Sequence, residues 1–506
     1  MNFLAISKNS KKFKLAEFYK IHKFQKIHKI PKNSKSEFYK TKNKILAIIL
    51  AMKITNKKPD ISTSLSSIFA LLWPQIFIMY LLCVMNIVPI WAAGKMSASI
   101  QAAYGVSVQV LFFLNVVSVA ISAGAVAVIS HAIGARKMDR AHAYTLLTIA
   151  SNIFCSVLLA LFGWIFTEQI FSLLALKGQA LQIAYEFWDI LLLALPFSYI
   201  LGSCATLFRS FREVKIPLFI TAAVCALHFF FTLGLSFGDF GIEKIGFMGI
   251  AWAYFIAQVF GSILSLFMLY RCGFLRFIMP KLKWLIAGAP RLFKTAFASG
   301  ATSLLWQGGN LTLYYITASL PFFATDALAG LSAGNRIESM IFMIGMAFNM
   351  SASVLVGNCL GARNAAEAKR VATMLIFGSS LLMSVVALLL VPFIHDFSAF
   401  VSNDALAQHY TAGYLIFNLA STPFATASMV FGGVMIGARA AIYNVLIFGL
   451  CFWVVRIPLA YYLGHFVMMD ANGVFLAMLL SQAVQAAAIL WVFFHIDWTK
   501  YALKKP

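Results

Sequence analysis

An internal duplication at a fixed offset constrains this chain more than any other feature. The stretch 129–140 (ISHAIGARKMDR) returns as 356–370 (VGNCLGARNAAEAKR). Each copy follows a long apolar segment, ends in a small, basic, glycine-containing turn (Gly134 and Arg136; Gly361 and Arg363), and is followed by a second apolar segment. Three markers of different kinds share one spacing. The arginines of those turns give 363 − 136 = 227, two Pro-Phe pairs give 423 − 196 = 227, and a second arginine pair gives 439 − 212 = 227. An offset without drift means that the two stretches are copies of one folding unit, set side by side in the same chain.

The medium around that unit is lipid. The chain is 61% hydrophobic and 11% charged, with a mean hydropathy of +0.85, whereas soluble domains carry about 25% charged residues. Twelve apolar segments of spanning length fall near 65–93, 100–130, 143–168, 185–208, 214–238, 246–270, 295–318, 327–358, 368–394, 410–436, 442–465 and 472–495. Each exceeds the roughly 20 residues that a helix needs to cross the hydrocarbon core. Barrel strands are excluded, because they need only about ten alternating residues. The expected fold is therefore an all-α polytopic membrane protein with twelve transmembrane helices in two six-helix bundles. Residues 61–270 form the first bundle, 271–294 a cytoplasmic linker, 295–495 the second bundle, and 496–506 a C-terminal tail.

The net charge of +23 does not point to nucleic acid. Thirteen Lys and two Glu lie within residues 1–51, which leaves 23 − 11 = +12 for the remainder. Those charges alternate between loops. One set holds Arg136, Lys137, Arg140, Arg209, Arg212, Lys215, Arg363, Lys369, Arg370 and Arg439; the other holds mainly acids such as Glu168, Asp239, Glu243, Asp396, Asp404 and Asp470. The positive-inside rule puts the basic set and both termini in the cytoplasm. Residues 1–60, with AEFYK and SEFYK and two KIHK repeats, read as a disordered Lys-rich tail. It is either a polybasic arm on anionic lipid or sequence upstream of a true start at Met52.

Catalytic chemistry is not encoded in any recognisable form. The chain has no HExxH, GxSxG or phosphate loop, so no catalytic residues are expected. The seven cysteines have no metal spacing and lie mostly in apolar segments, so they read as small hydrophobes with no metal and no cofactor. A polytopic membrane enzyme is the reading from another class; it requires a polar cluster at one membrane face. Two parallel six-helix units with a cleft between them instead suit alternating access.

The ordered motifs make the chain similar to bacterial members of the MATE (multidrug and toxic compound extrusion) family. They are the Gly-Ala-Arg turns at 134–136 and 361–363, the Pro-Phe pairs at 196 and 423, Leu328-Ala329-Gly330, Arg336-Ile337-Glu338-Ser339, and Arg456-Ile457-Pro458-Leu459-Ala460-Tyr461. The resemblance covers residues 60–495. It implies export of small amphipathic, often cationic compounds against a H⁺ or Na⁺ gradient. A lipid-linked precursor flippase is the alternative within transport. The partners expected are that substrate and membrane lipid, with no nucleic acid and a monomeric chain.

The family's usual carboxylates do not map onto this sequence. Pro89 stands where helix 1 commonly carries Asp, and His228 and Thr232 stand where one branch has Asn and Asp. Segments 7 and 10 contain no acid. The ion-coupling candidates are the remaining ionisable residues within spans: Glu338, Arg456, Asp189 (beside Glu186) and His228. Glu338 and Arg456 read either as a proton-released pair or as a permanent structural one. Polar residues at middle depth are the candidates for the substrate cleft: Gln75, Asn86, Gln109 and Asn115 in the first half, Gln307, Asn310, Tyr314 and Asn349 in the second. Gly308 and Gly309 mark either a bend or a close approach in helix 7.

Overall fold

Hydrocarbon offers no hydrogen bonds to a backbone, so an apolar chain crossing it must pair its amides internally. The computed structural model describes residues 63–172, 178–275, 282–401 and 404–503, and no strand occurs among them. The expectations for the Lys-rich tail and for a start at Met52 lie outside the described residues. Twelve long helices follow one another. In the first half they are α1 (Leu65–Met96), α2 (Ala98–Gly134), α3 (Met138–Ile165), α4 (Gln179–Ser210), α5 (Lys215–Phe237) and α6 (Met248–Arg271). In the second they are α7 (Leu282–Ala318), α8 (Ala324–Gly361), α9 (Ala365–Leu390), α10 (Ala405–Gly437), α11 (Ala441–Val467) and α12 (Ala471–His495).

Eleven of these are apolar and long enough to cross a membrane by their own composition. The helix left out is α7, because Thr302, Ser303, Gln307, Gly308, Gly309, Asn310 and Thr312 crowd its second half. It also begins thirteen residues earlier than the expected 295. The basic stretch 282–294 is helix, not linker, and Leu292 and Ala296 seat it against Gly124 of α2. The join between halves shrinks to 272–281, of which 276–281 lie outside the described residues. Within α11, two stretches of π-helix at Leu450–Arg456 and Leu463–Val467 flank Ile457–Tyr462.

The duplication is visible in the backbone. Arg136, Arg212, Arg363 and Arg439 all adopt left-handed φ, at 57°, 64°, 62° and 57°. In each case the next amide donates to the carbonyl five residues back: Lys137 to Ala132, Glu213 to Phe208, Asn364 to Cys359, and Ala440 to Met435. This pattern closes a helix end with its last carbonyls satisfied. Four helices, α2, α4, α8 and α10, therefore stop in the same way on the basic side.

The halves interlock at that end. Gly134 of α2 abuts Asn358 of α8, where an added Cβ would lie 2.1 Å from the carbonyl oxygen. Gly361 abuts His131 in the mirrored contact, at 2.3 Å from its carbonyl oxygen. Since 131 + 227 = 358 and 134 + 227 = 361, this is one contact made twice about a pseudo-two-fold axis. Ser130 and its counterpart Gly357 meet on that axis, and His131 Nε2 hydrogen-bonds the Gly437 carbonyl of α10 at 2.8 Å.

Beyond His495 the chain folds back on the second bundle. Trp498 is fully buried in its core beside Phe493. Asp497 accepts from the Thr499 hydroxyl and lies 3.7 Å from Lys369 and 3.5 Å from Lys500. The hydroxyl bond foremost, with the lysines, holds the Asp497 carboxyl below its usual range. A depressed carboxyl contributes stability above its unfolded value and loses it as pH falls through the folded one. Acidification below the ordinary carboxylate range is expected to loosen this segment, read as a red shift of Trp498 emission that Asp497→Asn shows already at neutral pH.

Candidate functional site

Helical phase carries the interface at the basic end outward into a cleft. On α7, Ala296, Gly300, Ser303, Gln307, Asn310 and Tyr314 recur at i, i+4, i+7, i+11, i+14 and i+18, which is one helix face. Gly300 meets Ala120 of α2 near the basic end of that face, and Leu304 and Leu311 at its edge are exposed further out. On α8, Ala347 packs with Ile78 and Met79 of α1, flanked by Met343 and Met350. The same face continues outward through Met340 to Arg336, both exposed. Asn86 and Ile90 on α1, in helical phase with Met79, and Gln109 and Phe113 on α2, in phase with Ala120, are exposed as well. The four helices are thus in contact at the basic side and parted toward the other.

By helical phase Gln109 falls on the α2 face, and Gln307, Asn310 and Tyr314 on the α7 face, that continue the basic-end contacts outward. The expectation for Gln75 is corrected: it is buried, and its Oε1 accepts from Arg209 Nη1 at 3.2 Å, tying α1 to α4. Asn349 is also turned away, with its amide donating to the Met429 carbonyl of α10. Asn115 and Asn86 line a cavity of about 110 Å³ within the first bundle, together with Tyr104, Leu111, Leu191 and Tyr254.

The second bundle encloses a different group of residues. Glu338, on the α8 face toward α10, accepts a hydrogen bond from the Tyr414 hydroxyl. Asn418, one turn along α10, lies beside the same carboxylate. Tyr414 reaches it because Gly334 leaves room: a Cβ there would lie 2.2 Å from the Tyr414 ring. Arg456 is buried within electrostatic reach of Glu338 but is not in ion-pair contact with it. Its Nε donates to Ser481 of α12 at 2.8 Å, and its guanidinium lies 4.3 Å above the Phe452 ring. Phe452 in turn fills the space beside Gly309, and Trp453 packs on Gly308, so these glycines in α7 serve close approach and α7 runs unbroken past them. Tyr314 accepts from Asn335 at 3.2 Å and completes a polar chain from the cleft wall toward Tyr414 and Glu338.

The first bundle lacks this arrangement. Subtracting 227 from Glu338, Tyr414, Asn418 and Arg456 gives Leu111, Phe187, Leu191 and Phe229, all apolar. What it holds instead is His228, buried, edge-on to Tyr254 at 5.9 Å, with Nε2 unpartnered among the described residues. Asp189 and Glu186 are exposed on α4 and are not drawn into either group. Sequence reasoning singled out Glu338 and Arg456 but missed Tyr414, Asn418, Asn335 and Ser481. One signal was present: Tyr410, Tyr414, Asn418 and Thr422 recur every fourth residue and draw a polar stripe down α10.

Comparison with known proteins bears on both halves. The MatE family model matches residues 74–233 and again 298–462. The chain is 21% identical over 392 residues to the probable multidrug resistance protein YoeA of Bacillus subtilis, covering 77% of this chain and 84% of that one. It is 23% identical over 423 residues to the probable multidrug resistance protein NorM of Thermotoga maritima, covering 81% and 88%. Among solved structures, an outward-facing multidrug resistance MATE family transporter aligns with a TM-score of 0.79 at 15% identity, covering 86% and 96%. A MOP superfamily transporter from Pyrococcus furiosus aligns with a TM-score of 0.77 at 15% identity, covering 88% and 98%.

Proposed function

The chain belongs to the MatE family of multi-span multidrug transporters, and we propose that it exports small amphipathic molecules from a bacterial cytoplasm by ion-coupled antiport. Substrate occupies the cleft between the bundles, and Glu338 carries the coupling ion. The reading is supported by one observation above the rest. A carboxylate within a span is held by Tyr414 and set near a buried arginine, in the half that carries the polar face of α7. A charge within a span costs at least about 2.5–3.5 kcal/mol and marks a functional site by default.

The coupling ion is H⁺. Glu338 has the Tyr414 hydroxyl and the Asn418 amide as donors and a guanidinium nearby, surroundings that suit a proton and not a metal cation, which needs a cage of oxygens. Protonation turns the carboxyl from acceptor to donor and removes its attraction for Arg456. The partners on α10, α11 and α12 are then free to shift against α8. Because α8 also supplies Gly361 to the seal on the basic side, that shift has a direct route to the gate.

Purified protein in liposomes, given a pH gradient and a sodium gradient in separate runs, tests this. A fluorescent amphipathic dye is expected to be driven by the pH gradient and not by sodium. Transport driven by sodium alone would overturn the proton assignment, and transport driven by neither would overturn antiport.

A further inference from the structure

The cleft has a fixed charge of its own, and it is positive. Arg336 is exposed on the face of α8 that turns to the first half, eleven residues outward from the Ala347 contact with α1. It lies twelve residues into its helix, about 18 Å along the axis from the outer end. Among the described residues it has no ion-pair partner, unlike Lys369, Arg370 and Lys500, which pair with Glu367 and Asp497 on the basic side.

No acid on the facing walls offsets it. The helices α1, α2 and α7 contain no Asp or Glu, and α8 contains two. Asp326 sits in the first turn of α8, at its outer end. Glu338 is two positions from Arg336, about 200° around the helix, and is engaged by Tyr414. A cation entering the cleft would therefore meet one positive charge and no negative one. An anion would meet a planar five-donor fork. Met340 and Met343, beside Arg336, supply soft apolar surface for the rest of the molecule.

We infer that Arg336 selects the substrate class: the cleft takes amphipathic molecules bearing a carboxylate, sulfonate or phosphate, and Arg336 binds that group. This deepens the export reading and rests on it for the direction of movement, but not for recognition.

The test is equilibrium binding of a dansyl-tagged medium-chain carboxylate to the full chain in phosphatidylcholine nanodiscs. Its methyl ester and the matching primary amine serve as comparisons. The carboxylate is expected to bind most tightly. Arg336→Gln is expected to weaken it about tenfold or more, as loss of a charged hydrogen bond does, while binding of the ester is unchanged, which reports an intact fold. Arg336→Lys is expected to restore most of the loss. Equal carboxylate affinity in wild type and Arg336→Gln, or tighter binding of the amine than of the carboxylate by wild type, would overturn the proposal. Repeating the measurement with added phosphatidylglycerol identifies the source of the anion. Competition points to a lipid headgroup, and no competition points to a free solute. Because no gradient is imposed, a failure of ion-driven export in the same preparation would sink the transport reading and leave this one standing.

Discussion

Glu338→Gln is expected to reduce proton-driven export by more than about a hundredfold while the protein remains folded and inserted. Gln has the shape of the protonated carboxyl and can still meet Tyr414, so the bundle keeps its packing. What it loses is the second state. The wild-type group alternates between a charged acceptor and a neutral donor, and the variant is fixed in the neutral form. A hundredfold loss corresponds to about 2.8 kcal/mol of coupling free energy, at about 1.4 kcal/mol per tenfold, and a side chain fixed in one protonation state can supply none. Arg456 does not become an unsupported charge, because Ser481 and Phe452 hold it independently. Tyr414→Phe keeps a titratable carboxyl and is expected to retain proton-driven export at a reduced rate. Substrate binding at equilibrium should survive in both variants. Wild-type export by Glu338→Gln would remove Glu338 from the coupling role.

The proposed coupling rests on a carboxylate present in one bundle only. The two halves were built from one unit, and their packing at the basic end remains symmetric down to reciprocal contacts. The chemistry did not remain symmetric. Leu111, Phe187, Leu191 and Phe229 fill in the first half the positions that carry charge and hydrogen bonds in the second.

Most of the fold was legible because spanning helices are specified by composition alone. Twelve apolar runs, a constant offset and alternating loop charge leave little freedom. The start of α7 was not legible, because residues 282–294 are basic and read as linker. What makes them helix is tertiary: Leu292 and Ala296 dock on Gly124. The site was legible in its charges and not in its neutral members. A lone Glu or Arg in an apolar run stands out by its cost, whereas Tyr414, Asn335 and Ser481 are ordinary residues that matter only through the neighbours they reach. The same limit misplaced Gln75 and Asn349. Polarity at middle depth says that a residue needs a partner, and for these two the partners are Arg209 and the Met429 carbonyl.

The second large effect concerns the seal. Gly134→Ala, Gly361→Ala and the double variant are expected to favour separation of the halves at the basic side. A Cβ at either position would lie 2.1–2.3 Å from a backbone oxygen of the other half. Backbone at a helix end cannot step aside as a long side chain would, so the halves themselves must part. Overpacking of this kind costs about 1–3 kcal/mol, or about tenfold to a hundredfold in the balance between sealed and open forms, with the double variant shifted further. The cost is paid only in the sealed form, so the protein as a whole should stay folded. Spin labels on Lys137→Cys and Asn364→Cys, exposed turn residues one offset apart, would report the change as a longer distance in each variant. Export should fall in parallel, because a transporter that cannot close one side cannot deliver to the other. An unchanged distance would show that the reciprocal glycines are packing alone. The four arginine turns would then mark an ancestral fold and not a working gate.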